Sequence, residues 1–199
     1  MSRAAGAITI DGSLDDPGWQ GAAEIRNFYE ISPGDNTAPK VRTTAWITYD
    51  DRFFYVAIKC DDPRPAEIRA QHVERDHVSS DQDFAGIMLD TRNDERTAIE
   101  FFVNPYGIQD DIVRDESVVN GNNEDTSPDF HWDSAARITR EGWQLEMRIP
   151  FSSLRYGGAD PQTWGITVFR NLVRDFRYQI ASNRAPRESS CFICHAAKL

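Results

Sequence analysis

Cysteine is scarce: the 199-residue chain has three, and an odd number cannot all pair with one another. A disulfide framework is therefore excluded as the organising device of the fold. Long apolar runs are lacking too. No stretch approaches the ~20 residues that a bilayer-spanning helix needs, and no positively charged start leads into an apolar signal core. Basic charge is outweighed, with 22 Lys and Arg against 32 Asp and Glu and a formal net charge of −10. A surface of that sign repels phosphate backbones, which argues against nucleic acid as a partner. Enzyme signatures are missing as well: there is no Gly-x-Ser-x-Gly elbow, no phosphate-binding glycine loop and no His-Glu-x-x-His zinc helix. Among 32 acidic residues a pair at glycosidase spacing can always be found, so such a pair carries no weight and no catalytic residue is assigned.

What is present is short-range alternation. Trp143-Gln144-Leu145-Glu146-Met147-Arg148-Ile149 places apolar residues at every odd position, the pattern of a strand with one buried face. Val41, Ala45, Ile47 and Tyr49 share a face in the same way, with Trp46 pointing opposite. The run 53–60 is apolar on both faces, as expected of a central strand covered from two sides. Asp50-Asp51-Arg52 between these runs suits a hairpin. Further strands are expected at 84–90, 97–104, 108–114, 135–139, 163–170 and 176–182, separated by turn chemistry such as Arg92-Asn93-Asp94 and Asn104-Pro105-Tyr106-Gly107. Short helical turns are expected at 65–71 and 152–155. The stretch 115–129, with Asn120-Gly121-Asn122-Asn123 and Ser127-Pro128, reads as a long polar loop. Eight or nine short strands without long amphipathic helices predict an all-β, antiparallel two-sheet sandwich, jelly-roll-like, with few short helices. The expected division is a sandwich domain over 1–185 and a C-terminal segment over 186–199 that begins a further region, with the natural leader also outside this sequence.

Acidic pairs recur at Asp15-Asp16, Asp50-Asp51, Asp61-Asp62 and Asp110-Asp111. Aspartate favours turns and solvates surfaces, but oxygen-rich loops also hold calcium. Asp61, Asp62, Asp81 and Asp83 are the candidate calcium ligands, and ion pairs with Arg64, Arg69 or Arg75 are the alternative reading. Cys60, alone at the end of an apolar run, reads as a small buried hydrophobe. Cys191-Phe192-Ile193-Cys194-His195 matches the c-type haem attachment pattern, in which both thiols bond the vinyl carbons and the histidine ligates iron. His72, His77, His131, Met88 and Met147 are candidates for the second axial ligand. A disulfide, or half of a metal site, fits the same two cysteines.

The order of motifs resembles family 9 carbohydrate-binding modules. Ile8-Thr9-Ile10-Asp11-Gly12-Ser13-Leu14-Asp15 with Trp19 and Ala22-Ala23 is similar to the family's opening. The strand 45–49 with Asp50-Asp51, the segment 83–90, Phe101 to Asn104 with Gly107, and Gly142-Trp143 to Glu146 with Ile149-Pro150-Phe151 continue in the same order, so that the resemblance covers about residues 8–182. Leu89-Asp90-Thr91, Asn104-Pro105 with Gly107, Trp132-Asp133, Ser153-Leu154-Arg155-Tyr156, Trp164-Gly165 and Arg170 look most like the subset found at the N-terminus of bacterial outer-membrane proteins with a C-terminal barrel-like region.

This resemblance implies a β-sandwich, a periplasmic, outer-membrane-associated or secreted setting, structural calcium, and an oligosaccharide or polysaccharide as ligand. It also admits a membrane barrel of the same polypeptide as partner. The sugar-binding members use an acidic residue and an arginine at positions that here hold Gly86 and Phe102, so the inherited site is altered. Sugars need flat aromatic faces and planar polar side chains; the candidates are Trp46, Phe102 and Trp132 with Arg96, Asn104, Gln109 and Arg170, while Trp19, Trp143 and Trp164 are assigned to the core. The expected function is non-catalytic carbohydrate recognition. The alternatives are a haem c electron carrier through Cys191, Cys194 and His195, and a structural domain that caps a membrane barrel.

Overall fold

The computed structural model describes residues 1–118 and 122–199. Among these residues thirteen strands form two antiparallel sheets packed face to face. The smaller sheet runs β1 (Ala23–Ile25), β3 (Thr43–Tyr49), β4 (Phe53–Asp61), β10 (Gly142–Pro150) and β9 (Asp133–Thr139). The larger runs β2 (Tyr29–Ser32), β12 (Arg177–Ala181), β11 (Gly165–Val173), β5 (Phe84–Asp90), β6 (Thr97–Val103), β7 (Gln109–Asp115) and β8 (Glu124–Asp125), with β13 (Ala197–Lys198) also on β11. Helical structure among the described residues is confined to short 3₁₀ turns, including Pro65–Glu67 and Phe151–Ser153 within the expected helical stretches. All nine expected strands are present. The polar loop is shorter than expected, because β7 reaches Asp115 and β8 pairs with it, while Asn120 and Gly121 lie outside the described residues.

Turn chemistry fixes the register. The Asp50 carboxylate accepts the backbone N–H groups of Arg52 and Phe53 at 2.7 and 2.8 Å, and so closes the β3–β4 hairpin. At the β6–β7 turn the Asn104 amide oxygen accepts from Tyr106 and Ile108 at 3.0 and 3.1 Å, and Gly107 follows at φ +81°, a conformation that costs glycine little. Between the sheets, Trp143, Leu145, Met147 and Ile149 interdigitate with Ile87, Leu89, Phe101, Val103, Val168 and Ile180. Each such side chain contributes about 1.5–3 kcal/mol on burial. Cys60 lies fully buried in this core, and burial pushes its thiol up to about 12, so that it stays protonated.

The outer faces are covered as well. Tyr55 and Ala57 of β4 pack under Ile8 and Trp19, so the chain's first 20 or so residues cover the smaller sheet. The fully buried Glu146 anchors this cover. Its carboxylate accepts the Trp19 indole N–H at 2.9 Å and the backbone N–H groups of Gly12 and Asp11 at 2.9 and 3.1 Å. Burial raises its pKa while these three bonds draw it down. In the larger sheet every residue of β5 and β11 is buried, which requires covering from both sides. The segment 186–199 supplies part of that cover: Ala197 and Lys198 pair with Ile166 and Gly165, and Ile193 is buried on Met88 and Ala98.

Glu146→Ala leaves two buried donors and one part-buried donor without an acceptor and is expected to cost about 2–4 kcal/mol. Urea unfolding should show this as a lower midpoint at unchanged slope; a loss below about 1 kcal/mol would show that water replaces the carboxylate at no cost.

Candidate functional site

The outer face of the larger sheet carries a groove. Because side chains alternate along each strand, Phe102 and Glu100 of β6, Asp110, Ile112 and Arg114 of β7, Phe84 and Met88 of β5, and Phe169 of β11 all point away from the core and into this face. Phe84, Phe102 and Phe169 form its floor, with ring centroids 5.2, 5.8 and 6.0 Å apart. Gly86 lies between Phe102 and Phe169 in the cross-strand register. A Cβ on it would meet the Phe101 carbonyl oxygen at 1.9 Å and Phe102 Cδ1 at 2.8 Å, so only glycine lets the Phe102 ring lie there. One wall includes Val78 and Ser80, held as the Asn171 amide donates to the carbonyls of Ser80 and Gln82 at 3.1 and 2.7 Å. The other is Phe192 of the C-terminal segment, whose N–H donates to Glu116 Oε1 at 2.9 Å and whose ring centroid lies 5.7 Å from the Arg114 guanidinium. The cavity left between them has a volume of about 370 Å³, within the usual range for small-ligand sites.

Polar groups rim this apolar floor. Glu100 accepts from Arg114 Nε at 2.5 Å, and Arg114 Nη2 pairs with Glu124. Burial pushes the Glu100 carboxyl up against the pull of Arg114. Arg177 donates through Nε to Asn171 at 2.7 Å and lines the far end beside Gln179. Asp110 differs from all of these. It is 7% exposed, and among the described residues no donor lies within hydrogen-bonding distance of its carboxyl. Burial, then the neighbouring Asp76, Asp111, Glu100 and Glu124, raise its pKa to about 6.

Of the seven expected site residues Phe102 alone lies in this groove, while Gln109 and Trp132 line a separate cavity with Ser134 and Arg148. Trp46 packs half-buried on the smaller sheet, with Ile8 and Trp19. Trp132 is in the core, edge-on to Phe101 at 5.1 Å, and its indole N–H goes to Asp111 at 3.1 Å. Asn104 is the fully buried turn residue described above, and its Nδ2 also donates to the Gln71 carbonyl at 2.9 Å. Gln109 bonds the Trp132 carbonyl and Ser134 Oγ, both at 3.1 Å. Arg170, fully buried, ties the sheets by donating to the carbonyls of Arg42 and Asp61 at 3.1 Å each. Arg96 is an exposed turn residue whose backbone N–H goes to Asp94 at 2.9 Å. The residues that sequence reasoning missed are Phe84, Phe169, Glu100, Asp110, Arg114 and Phe192. The signal for those on β6 and β7 is alternation, Ala98-x-Glu100-x-Phe102 and Asp110-x-Ile112-x-Arg114, which groups them on one face of each strand.

The four candidate calcium ligands do not converge. Arg174 Nη1 bonds both Asp83 oxygens at 2.8 and 3.0 Å and its Nη2 bonds Asp62, so one guanidinium fills the space between these carboxylates. Asp61 faces Lys59 at 3.7 Å, and Asp81 accepts from the Ser79 hydroxyl. Among the described residues no group of three or more His, Cys, Asp or Glu is placed to hold a metal ion. The set does not fit calcium, and the partner arginine is Arg174 rather than Arg64, Arg69 or Arg75. Cys191 and Cys194 are joined as a disulfide, Cα–Cα 5.5 Å. In that form neither sulfur can bond a haem vinyl carbon, and His195 Nε2 lies 2.9 Å from Ser189 Oγ.

Comparison with known proteins agrees with this architecture. The family model described as "Carbohydrate family 9 binding domain-like" matches residues 10–184. The chain belongs to that family, a family of binding rather than catalytic domains. A family 9 carbohydrate-binding module from Caldicellulosiruptor kristjanssonii in complex with glucose is similar in fold, at TM-score 0.62 and 17% identity over 91% of this chain and 83% of that one. The same organism's module in complex with cellotriose gives TM-score 0.61 at 17% identity, over 91% and 82%. A putative carbohydrate-binding protein from Bacteroides uniformis gives TM-score 0.75 at 13% identity, over 100% of this chain and 95% of that one. No curated protein matches the chain.

A carboxyl that is harder to ionise in the folded state than in the unfolded chain lends stability below the unfolded value, near 4, and this contribution fades as pH rises through about 6. Asp110→Asn removes the penalty at high pH. Its unfolding free energy relative to the parent should therefore rise by about 1–2 kcal/mol between pH 4 and pH 8, screening on the open side of the groove holding it below the full shift. A difference flat with pH would show the carboxyl to be well solvated.

Proposed function

We propose that the chain is a non-catalytic carbohydrate-binding domain and that its ligand lies in the groove on the larger sheet. One observation carries this reading: apolar aromatic rings, carboxylates, arginines and an amide converge on a single small cavity, on a fold shared with modules in complex with glucose and cellotriose. Aromatic surfaces receive the C–H faces of a pyranose, and the rim accepts from and donates to its hydroxyls. The positions where the resemblance implies an acid and an arginine, Gly86 and Phe102, are cross-strand neighbours in the floor. Glu100 and Arg114 supply the same two groups from the same face, Glu100 two residues along β6 and so roughly 7 Å away. The polar part of the site is displaced rather than lost. A secreted or outer-membrane-associated setting is supported by the Cys191–Cys194 disulfide, since such bonds persist in oxidising compartments.

Titration calorimetry against a panel of neutral, amino and acidic oligosaccharides tests the reading. At least one class should bind, and Gln179→Ala should lower its affinity about tenfold at unchanged unfolding temperature, as the loss of a rim hydrogen bond of ~1–2 kcal/mol predicts. Trp46→Ala, on the opposite sheet, should leave affinity unchanged. Binding to no glycan would overturn it in favour of a structural role beside a neighbouring region of the same polypeptide, and binding that follows Trp46 would move the site to the smaller sheet.

A further inference from the structure

We propose that the groove selects carbohydrates carrying a protonated amino group, with the Asp110 carboxylate receiving the ammonium. This rests on the reading of the groove as a sugar site and names the class of sugar.

Asp110 is nine-tenths buried, lines the cavity, and has no hydrogen-bond donor among the described residues, whereas the other groove carboxylates are spoken for. Glu100 and Glu124 share Arg114. On the far side of β7, Asp111 is bonded by Arg75, the Trp132 indole and the Phe130 N–H, and Asp76 accepts the Asp111 N–H at 3.1 Å. None of these cations reaches Asp110. Arg177, across the same cavity on β12, is bonded through Nε to Asn171 at 2.7 Å and forms no ion pair with Asp110 among the described residues.

Asp110 therefore lies in the field of Asp76, Asp111, Glu100 and Glu124, and among the described residues no cation pairs with it. A hydroxyl can donate to such a carboxylate but leaves the local excess of negative charge in place. An ammonium supplies the donors and cancels the charge, and charge-assisted bonds are about twice as strong as neutral ones. A ligand carboxylate is repelled by the same field. The geometry suits a sugar in particular, because Asp110 is the cross-strand partner of Phe102. A pyranose resting on that ring has a substituent within about 5 Å of the carboxyl, the spacing of neighbouring strands.

The test compares glucosamine oligosaccharides, their N-acetylated counterparts and cello-oligosaccharides of equal length by titration calorimetry at pH 5 and pH 7. At pH 7 the glucosamine series should bind at least about tenfold more tightly than the other two. The preference should shrink at pH 5, where Asp110 takes up a proton, and with added salt. Asp110→Asn, confirmed as folded by an unfolding temperature at pH 7 no lower than the parent's, should bring glucosamine oligosaccharides to the affinity of the cello-oligosaccharides. Equal affinity for the three series, or a preference that survives Asp110→Asn, would overturn the assignment while leaving carbohydrate binding intact. Failure of all three series to bind would remove both.

Discussion

Strands β4, β5 and β11 are buried on both sides, yet a two-layer sandwich hides only one face of each sheet. Something outside the two layers has to cover the rest, and the chain uses its irregular segments for it. On the smaller sheet the N-terminal residues do so completely enough to bury Trp19 and Glu146. On the larger sheet the cover comes from two directions, the segment that contains Val78 and the one that contains Phe192, and the two do not meet. The groove is the interval between them. Its floor is apolar for the same reason that the covered parts of the face are.

Enclosing so many carboxylates sets the second condition. Each deeply buried acid has a dedicated partner: Arg174 for Asp62 and Asp83, Arg75 and Trp132 for Asp111, Arg114 for Glu100, and the N-terminal N–H groups for Glu146. These bonds hold loops to the sheets and account for much of the acidic composition without any ligand. Asp110 is the exception to a rule the molecule otherwise follows closely. Departures of that kind concentrate where a protein meets another molecule.

The sandwich was legible because alternation is a local property: Trp143, Leu145, Met147 and Ile149 face inward just as their spacing requires. The edge strands β1, β2 and β13, of two to four residues, carry too little period to be seen. The motifs that carry the family resemblance turn out to be structural. Asp11-Gly12 and Trp19 serve Glu146, Asn104 shapes a turn, and Trp132 and Arg170 join the layers. Such residues reveal kinship and say little about the ligand. Trp132 lies in the core because a tryptophan, with the most area to hide, is drawn inward first. The phenylalanines that line the groove alternate like any strand residue, and which outer face stays open is a long-range outcome that spacing does not encode.

The glycine at position 86 also constrains how this site can change over generations. Placing an acid there would drive a Cβ into the Phe101 carbonyl oxygen, a backbone atom that yields only if β5 and β6 part. Exchanging Phe102 alone would not relieve that collision. The acid that the resemblance implies at this position is thus beyond the reach of a single substitution, and change in the groove is channelled toward β7 and the C-terminal wall, where side chains can be exchanged without moving a strand.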